Sequence, residues 1–214
     1  MPLILQPATA ADAPRSAEIE KLAYAPNPFN KYLFPGPFPE PEPGRNPRAE
    51  DLAKVLTQDP SVRWTKVVDT DVEPSADNAQ MIAFGQWHVK DGGEAPEPKR
   101  TFGPGTNPEA CEELFGGIAE LRAKHFGGRK HVHIRLLHVD PKHKRRGAGR
   151  MMVNYVVEQA QALGLPTFLE SSMEGHGLYL SCGFRDMEER VIDFSRWGME
   201  GDTNHINYIM GRDF

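Results

Sequence analysis

Residues 138 to 157 read HVDPKHKRRGAGRMMVNYVV, with Lys142, Lys144, Arg145, Arg146 and Arg150 set around Gly147 and Gly149. Residue types at this spacing can grip a compact anion. The first amides of a helix lack intrahelical partners and sit at the positive end of its dipole. Glycines have no Cβ, so an anion can come close to those N–H groups, and arginines add charge-assisted contacts. A pyrophosphate fits that description. The stretch is not a P-loop, because no Lys-Ser/Thr follows the second glycine, and with two glycines it is not the dinucleotide fingerprint. A solvated surface or a nuclear import signal would explain the basic run alone. It would not explain a strand before the run and an amphipathic helix after it.

These residues need elements to position them. HVHIRLLHVD reads as a strand rising into the basic turn, and Ala148, Met151, Met152, Tyr155 and Val156 follow helical spacing after it. Gly164 and Pro166 stop that helix; LPTFLESS is the next strand, and GHGLYLSCGF a short helix ending at Gly183. RVIDF and INYIMGRDF close the chain as strands. Upstream, LILQPAT is a strand, and Thr9 with Asp12 forms a capping box for a first helix. The proline density from Ala25 to Pro47 excludes regular structure there. PRAEDLAKVLTQDP is a second helix, and VRWTKVVDT with MIAFGQWHV an antiparallel pair. Residues 91–108 form a loop. Asn107 caps a helix with Pro108 at its first position, the stripe Cys111, Leu114, Phe115 and Ile118, and Gly127-Gly128 as its end.

The pattern implies one α+β domain over residues 1–214, with a mixed sheet. At 214 residues the chain can bury one sizeable core. Its formal charge of −5, with no base-stacking aromatics beside the basic run, counts against a nucleic-acid partner. Cys111 and Cys182 form neither a disulfide framework nor a metal-ligand spacing, which suits a reducing compartment and no metal. No apolar run is long enough for a signal peptide or a membrane span, so the expectation is a cytoplasmic protein.

Here the sequence resembles the GNAT superfamily of acyl-CoA-dependent N-acetyltransferases. Lys144, Gly147 and Gly149 occupy its pyrophosphate motif (Gln or Arg, two residues, Gly, one residue, Gly or Ala), with Lys a departure at the first place. LLHVDP is similar to the family's fourth strand and following turn, and LYLSCGF to its "Tyr, three residues, Gly, Phe" signature. The resemblance covers roughly residues 130 to 186. It implies a mostly antiparallel sheet flanked by helices and splayed between its two central strands. It also implies acetyl-CoA as co-substrate, direct transfer in a ternary complex, and a small-molecule amine acceptor. Backbone groups of Leu137, His138 and Val139 would hold the pantetheine arm, and Lys144, Arg145, Arg146, Gly147, Ala148, Gly149 and Arg150 the pyrophosphate. The amide of Val139, or one beside it, would face the thioester oxygen.

Tyr179 matches the family tyrosine that protonates the leaving sulfur; packing beside Phe184 is the alternative. His131, His133 and Arg135 share one strand face by alternation, and Val132, Ile134 and Leu136 the other. Arylalkylamine N-acetyltransferases carry a His-x-His on this strand, and aligned on Val139 this chain's pair lies one pleat early. His133 is the first candidate base, since imidazole titrates near neutral pH, although a strand histidine is often structural. Glu170, at the end of the next strand, is the second; it could orient the amine or take its proton through water, or be a solvent-exposed sheet end. His138 is expected opposite His133, and Cys182 in the core. Tyr24, Phe29, Tyr32, Phe34 and Phe38 form either a pocket wall or ordinary core. The long loops resemble uncharacterised fungal members, which favours a small acceptor over histone tails. An acetyl-CoA-binding protein without turnover is the alternative to an enzyme.

Overall fold

The computed structural model describes residues 2–75, 77–93 and 100–213. The strands are β1 (Leu3–Pro7), β2 (Val62–Asp69), β3 (Met81–Lys90), β4 (His131–Val139), β5 (Thr167–Ser172), β6 (Arg185–Asp193) and β7 (Asn204–Arg212). They form one sheet in the order β1-β2-β3-β4-β5-β7-β6. Every pairing is antiparallel except β4 with β5, so the expected mixed, mostly antiparallel sheet is present.

The helices are α1 (Ala13–Tyr24), α2 (Asn30–Leu33), α3 (Pro47–Gln58), α4 (Pro108–Cys111), α5 (Gly117–Phe126), α6 (Ala148–Ala162) and α7 (Met173–Ser181). A π turn over Glu112–Gly116 joins α4 to α5. Capping chemistry sets their starts: the Thr9 amide donates to Asp12 Oδ2 at 2.8 Å, Asn46 accepts from the Ala49 amide, and Asn107 from the Ala110 amide. On one face, Val153, Val156, Val157 and Ala160 of α6 bury Trp87, Val132, Ile134 and Leu169, with Tyr179 of α7 in the same cluster. On the other, α1 and α3 cover β2 and β3 through Ile19, Leu52, Trp64 and Phe84. Phe126 of α5 stacks on Phe168 of β5, with ring centroids 4.1 Å apart, beside Ile209 of β7. Each such apolar side chain contributes roughly 1.5–3 kcal/mol by leaving water.

Two expectations are corrected. Residues 25–47 are not devoid of regular structure: α2 forms because Phe29 and Leu33 can bury against Cys111, Leu114 and Phe194. Of the aromatics from Tyr24 to Phe38 only Phe29 is buried; Tyr32 is half-buried, and Tyr24, Phe34 and Phe38 are exposed. Phe29 and Tyr32 pack on Phe194, Phe34 on Phe115, and Phe38 against Gly105, where a Cβ would meet its ring at 2.6 Å. Strand β6 also begins at Arg185, five residues before the predicted RVIDF.

Candidate active site

The parallel pairing of β4 and β5 lasts three residues: Val132 with Thr167, His133 with Phe168, and Ile134 with Leu169. It stops because β4 bulges. Gln86 and Trp87 of β3 oppose Leu136 and Ile134, which leaves Arg135 as an extra residue. Past the bulge, β4 and β5 line two walls of a groove of about 770 Å³. The Asp140 amide donates to the Ile82 carbonyl. By the alternation of an antiparallel ladder, the amides of Val139 and Leu137 therefore point away from β3, toward the splay.

The bulge also overturns the predicted faces. Alternation holds through Ile134 and then slips by one. Leu136 packs with Ile19 and Phe84, and His138 against Phe84 and Tyr24. Because Phe84, Gln86 and His88 share a face, their partners His138, Leu136 and His133 share it too. His138 is thus on the same side as His133, not the opposite one, and Leu136 leaves the face of Val132 and Ile134.

At the upper end of the groove, Asp140 shapes the basic turn. Its carboxylate accepts from the Lys142 amide at 3.0 Å and from Arg15 Nη2 at 2.7 Å, while Arg15 Nε donates to the Met81 carbonyl. Burial would raise the Asp140 pKa, but the amide and the guanidinium outweigh it and hold it lowered. Gly147 caps α6 at φ +93°, and a Cβ there would meet nothing within 4 Å, so backbone angle rather than space calls for glycine. Gly149 differs: its Cβ would lie 3.1 Å from Leu178 and 3.7 Å from Leu137 and Val139, so it seats α6 against α7 and β4.

Lys144, Arg145, Gly147, Ala148, Gly149 and Arg150 line the groove, as do Leu137, His138 and Val139. Lys144 also pairs with Glu174, and Arg150 donates to Ser181 Oγ at 3.1 Å. Arg146 does not line it; its guanidinium donates to Asp69 Oδ2 at 2.6 Å and to His143 Nδ1 at 2.8 Å. Sequence reasoning missed the wall formed by the end of β5 (Ser171, Ser172) and the start of α7 (Gly175, Gly177), whose only signal was small residues ahead of the tyrosine signature.

Further down, Glu170 and Tyr179 line the groove with Tyr24. Glu170 Oε1 accepts from Arg122 Nε at 2.6 Å, and Oε2 from His133 Nε2 at 2.9 Å. Burial opposes the charge on Glu170, yet His133 and Arg122 overcome it and hold the carboxyl well below the usual range. His133, 2% exposed, has its pKa lowered by burial against the pull of Glu170, so the pair is a carboxylate with a neutral imidazole. His133 does not itself line the groove. Burial, with the nearby charges of Tyr24 and Glu170, raises the Tyr179 pKa and keeps its proton on at neutral pH. His131 Nδ1 donates to the Arg129 carbonyl at 2.8 Å. Cys182 is buried beside Tyr179 and Phe184, as expected. Among the described residues no group of three or more His, Cys, Asp or Glu could hold a metal ion, and no helix is long and apolar enough to cross a membrane.

The family model described as "Acetyltransferase (GNAT) family" matches residues 73–184, 112 of the 214. Among solved structures, the chain is similar to mosquito arylalkylamine N-acetyltransferase like 5b, with TM-score 0.65 and 12% identity, covering 98% of this chain and 99% of that one. It is also similar to the ribosomal-protein-S18-alanine N-acetyltransferase of Escherichia coli (TM-score 0.55, 16% identity, 98% and 92% covered). A third is Arabidopsis thaliana NAA60 in complex with acetyl-CoA (TM-score 0.52, 14% identity, 98% and 97% covered). At these identities the likeness is one of fold. No curated protein matches the sequence.

Proposed function

The chain belongs to the acetyltransferase (GNAT) family, and we propose that it is an acetyl-CoA-dependent N-acetyltransferase acting directly on the amine of a small molecule. The observation that carries this reading is the groove itself: a helix N-terminus and glycine-shaped turn at one end, and a buried carboxylate and a protonated tyrosine at the other. The residues fit the co-substrate. The space beside Gly147 is clear to 4 Å, and the Leu137 and Val139 amides are turned from β3. The amides from Arg145 to Arg150, with the Arg145 and Arg150 side chains, would hold the pyrophosphate. The backbone of Leu137, His138 and Val139 would hold the pantetheine arm. Acetyl-CoA, when bound, supplies an acetyl group activated as a thioester.

The chain's own residues then have separate tasks. The Val139 N–H donates to the developing oxyanion. Tyr179 carries a proton on Oη at neutral pH and delivers it to the departing sulfur. Glu170 meets the amine, because it reaches the groove while His133 stands behind it. A neutral His133 donating from Nε2 fixes the carboxylate, so Glu170 orients the amine and passes its proton on through water.

One observation favours a second reading, an acetyl-CoA-binding protein without turnover. Both Glu170 oxygens are engaged, and a carboxyl held so low is a weak base. A panel of tryptamine, tyramine and polyamines, scored by thiol release from acetyl-CoA, separates the two. Release with at least one amine supports the enzyme. Strong thermal stabilisation by acetyl-CoA with no release from any acceptor supports the binding protein, and failure of acetyl-CoA to bind overturns both.

A further inference from the structure

Away from the groove, a cavity of about 540 Å³ opens where the turn between α5 and β4 meets β5, β6 and β7, lined by Arg129, Phe168, Gly183, Arg185, Arg212 and Asp213, with Met187 and Gly211. It shares no lining residue with the groove. Three guanidiniums therefore face one carboxylate. Elsewhere in this acidic chain arginines are matched to acids: Arg15 to Asp140, Arg122 to Glu170, Arg146 to Asp69 and Arg190 to Glu113.

Here they are not. Arg129 donates to the His125 carbonyl and lies 5.2 Å above the Phe168 ring, and Arg212 donates to the Cys182 carbonyl. Both partners are uncharged. Arg185, exposed, forms no ion pair among the described residues. The acids nearest on β6 are committed, Asp186 to His176 at 2.8 Å and Glu188 to Lys124 at 2.6 Å. The floor is kept open by glycine: a Cβ on Gly211 would lie 2.8 Å from Met187 Sδ and 2.9 Å from Phe168. Like charges gathered around one cavity repel, and planar guanidiniums suit oxyanions through paired N–H donors.

We propose that this cavity is a second ligand site, taking a small molecule with a phosphate- or carboxylate-type anion, its head among Arg129, Arg185 and Arg212 and its body on Met187. Calorimetric titration of the full chain with inorganic phosphate, and separately with citrate, tests it. At least one anion should bind at millimolar concentration or below, and the tighter of the two identifies the acid. Arg185→Ala and Arg129→Ala should each weaken this binding by about tenfold, the loss of one charge-assisted contact. Arg185→Lys should recover part of it, and Arg150→Ala, in the groove, should change it less than twofold. If both anions bind two sites, only one should vanish in Arg185→Ala. Failure of both anions to bind, or loss that follows Arg150 instead of Arg185 and Arg129, overturns the proposal.

Discussion

Consider the chain moved from pH 7 to pH 5. Burial lowers the His88 pKa from 6.5 to about 3 and the His138 pKa from 6.5 to about 4, while an unfolded chain titrates near the ordinary value. A histidine whose folded pKa is depressed stabilises the fold above its unfolded pKa, and that contribution drains away as the pH falls below it. The loss is about 1.4 kcal/mol per pH unit, so each of these two histidines costs about 2 kcal/mol by pH 5. Together they remove about 4 kcal/mol from a stability that is typically roughly 5–15 kcal/mol. His133 and His205, also lowered, act with the same sign. The lowered carboxyls of Asp12, Asp69, Asp140 and Glu170 stay silent here, because their stabilisation is lost only below the ordinary carboxylate range. Urea midpoints at constant ionic strength measure the change. Among the described residues His138 Nδ1, buried between Phe84 and Tyr24, has no hydrogen-bond partner, so His138→Leu should cut the pH-dependent loss by about 2 kcal/mol. An unchanged midpoint at pH 5, or the same loss in His138→Leu, would refute buried neutral imidazoles.

Tyr179→Phe should lower kcat by about 10²- to 10⁴-fold while acetyl-CoA affinity stays within twofold; stopped-time thiol release and calorimetry read the two quantities. Gly147→Ala should cost about 1–2 kcal/mol from its positive φ alone, since its Cβ meets nothing, and should weaken acetyl-CoA binding by distorting the cap. Wild-type stability and affinity in that variant would contradict the anion-cradle assignment. Glu170→Gln should destabilise by about 3–5 kcal/mol by breaking the buried ion pair with Arg122, and the double variant with Arg122→Met should recover part of it. Additive losses in that cycle would show that the pair is not coupled.

How much could be seen beforehand differs from residue to residue. The basic turn, the helix after it and the Tyr179 segment were legible because each rests on contacts within a few residues of chain. Thr9 with Asp12 and Asn107 with Ala110 are likewise local, and those helix starts were read correctly. The faces of β4 were misread because alternation assumes an unbroken ladder, and the bulge at Arg135 is a property of pairing with β3. The aromatic stretch from Tyr24 to Phe38 had the composition of either wall or core, and the fold divided it: Phe29 is buried against Phe194, while Tyr24 lines the groove.

By itself, then, the sequence determined the order of the strands, the glycine that caps α6 and the candidate identities of its site residues. Period, capping and turn chemistry act over one or two helical turns, and one-dimensional order carries them. Tertiary structure alone decided that Glu170 meets Arg122 and His133, 48 and 37 positions away, and that Arg146 is spent on Asp69, 77 positions away. It also decided that β4 and β5 part at Ile134. Those outcomes depend on which strands share hydrogen bonds and which charges are forced together out of water, and neither is written in the spacing of residues along a chain.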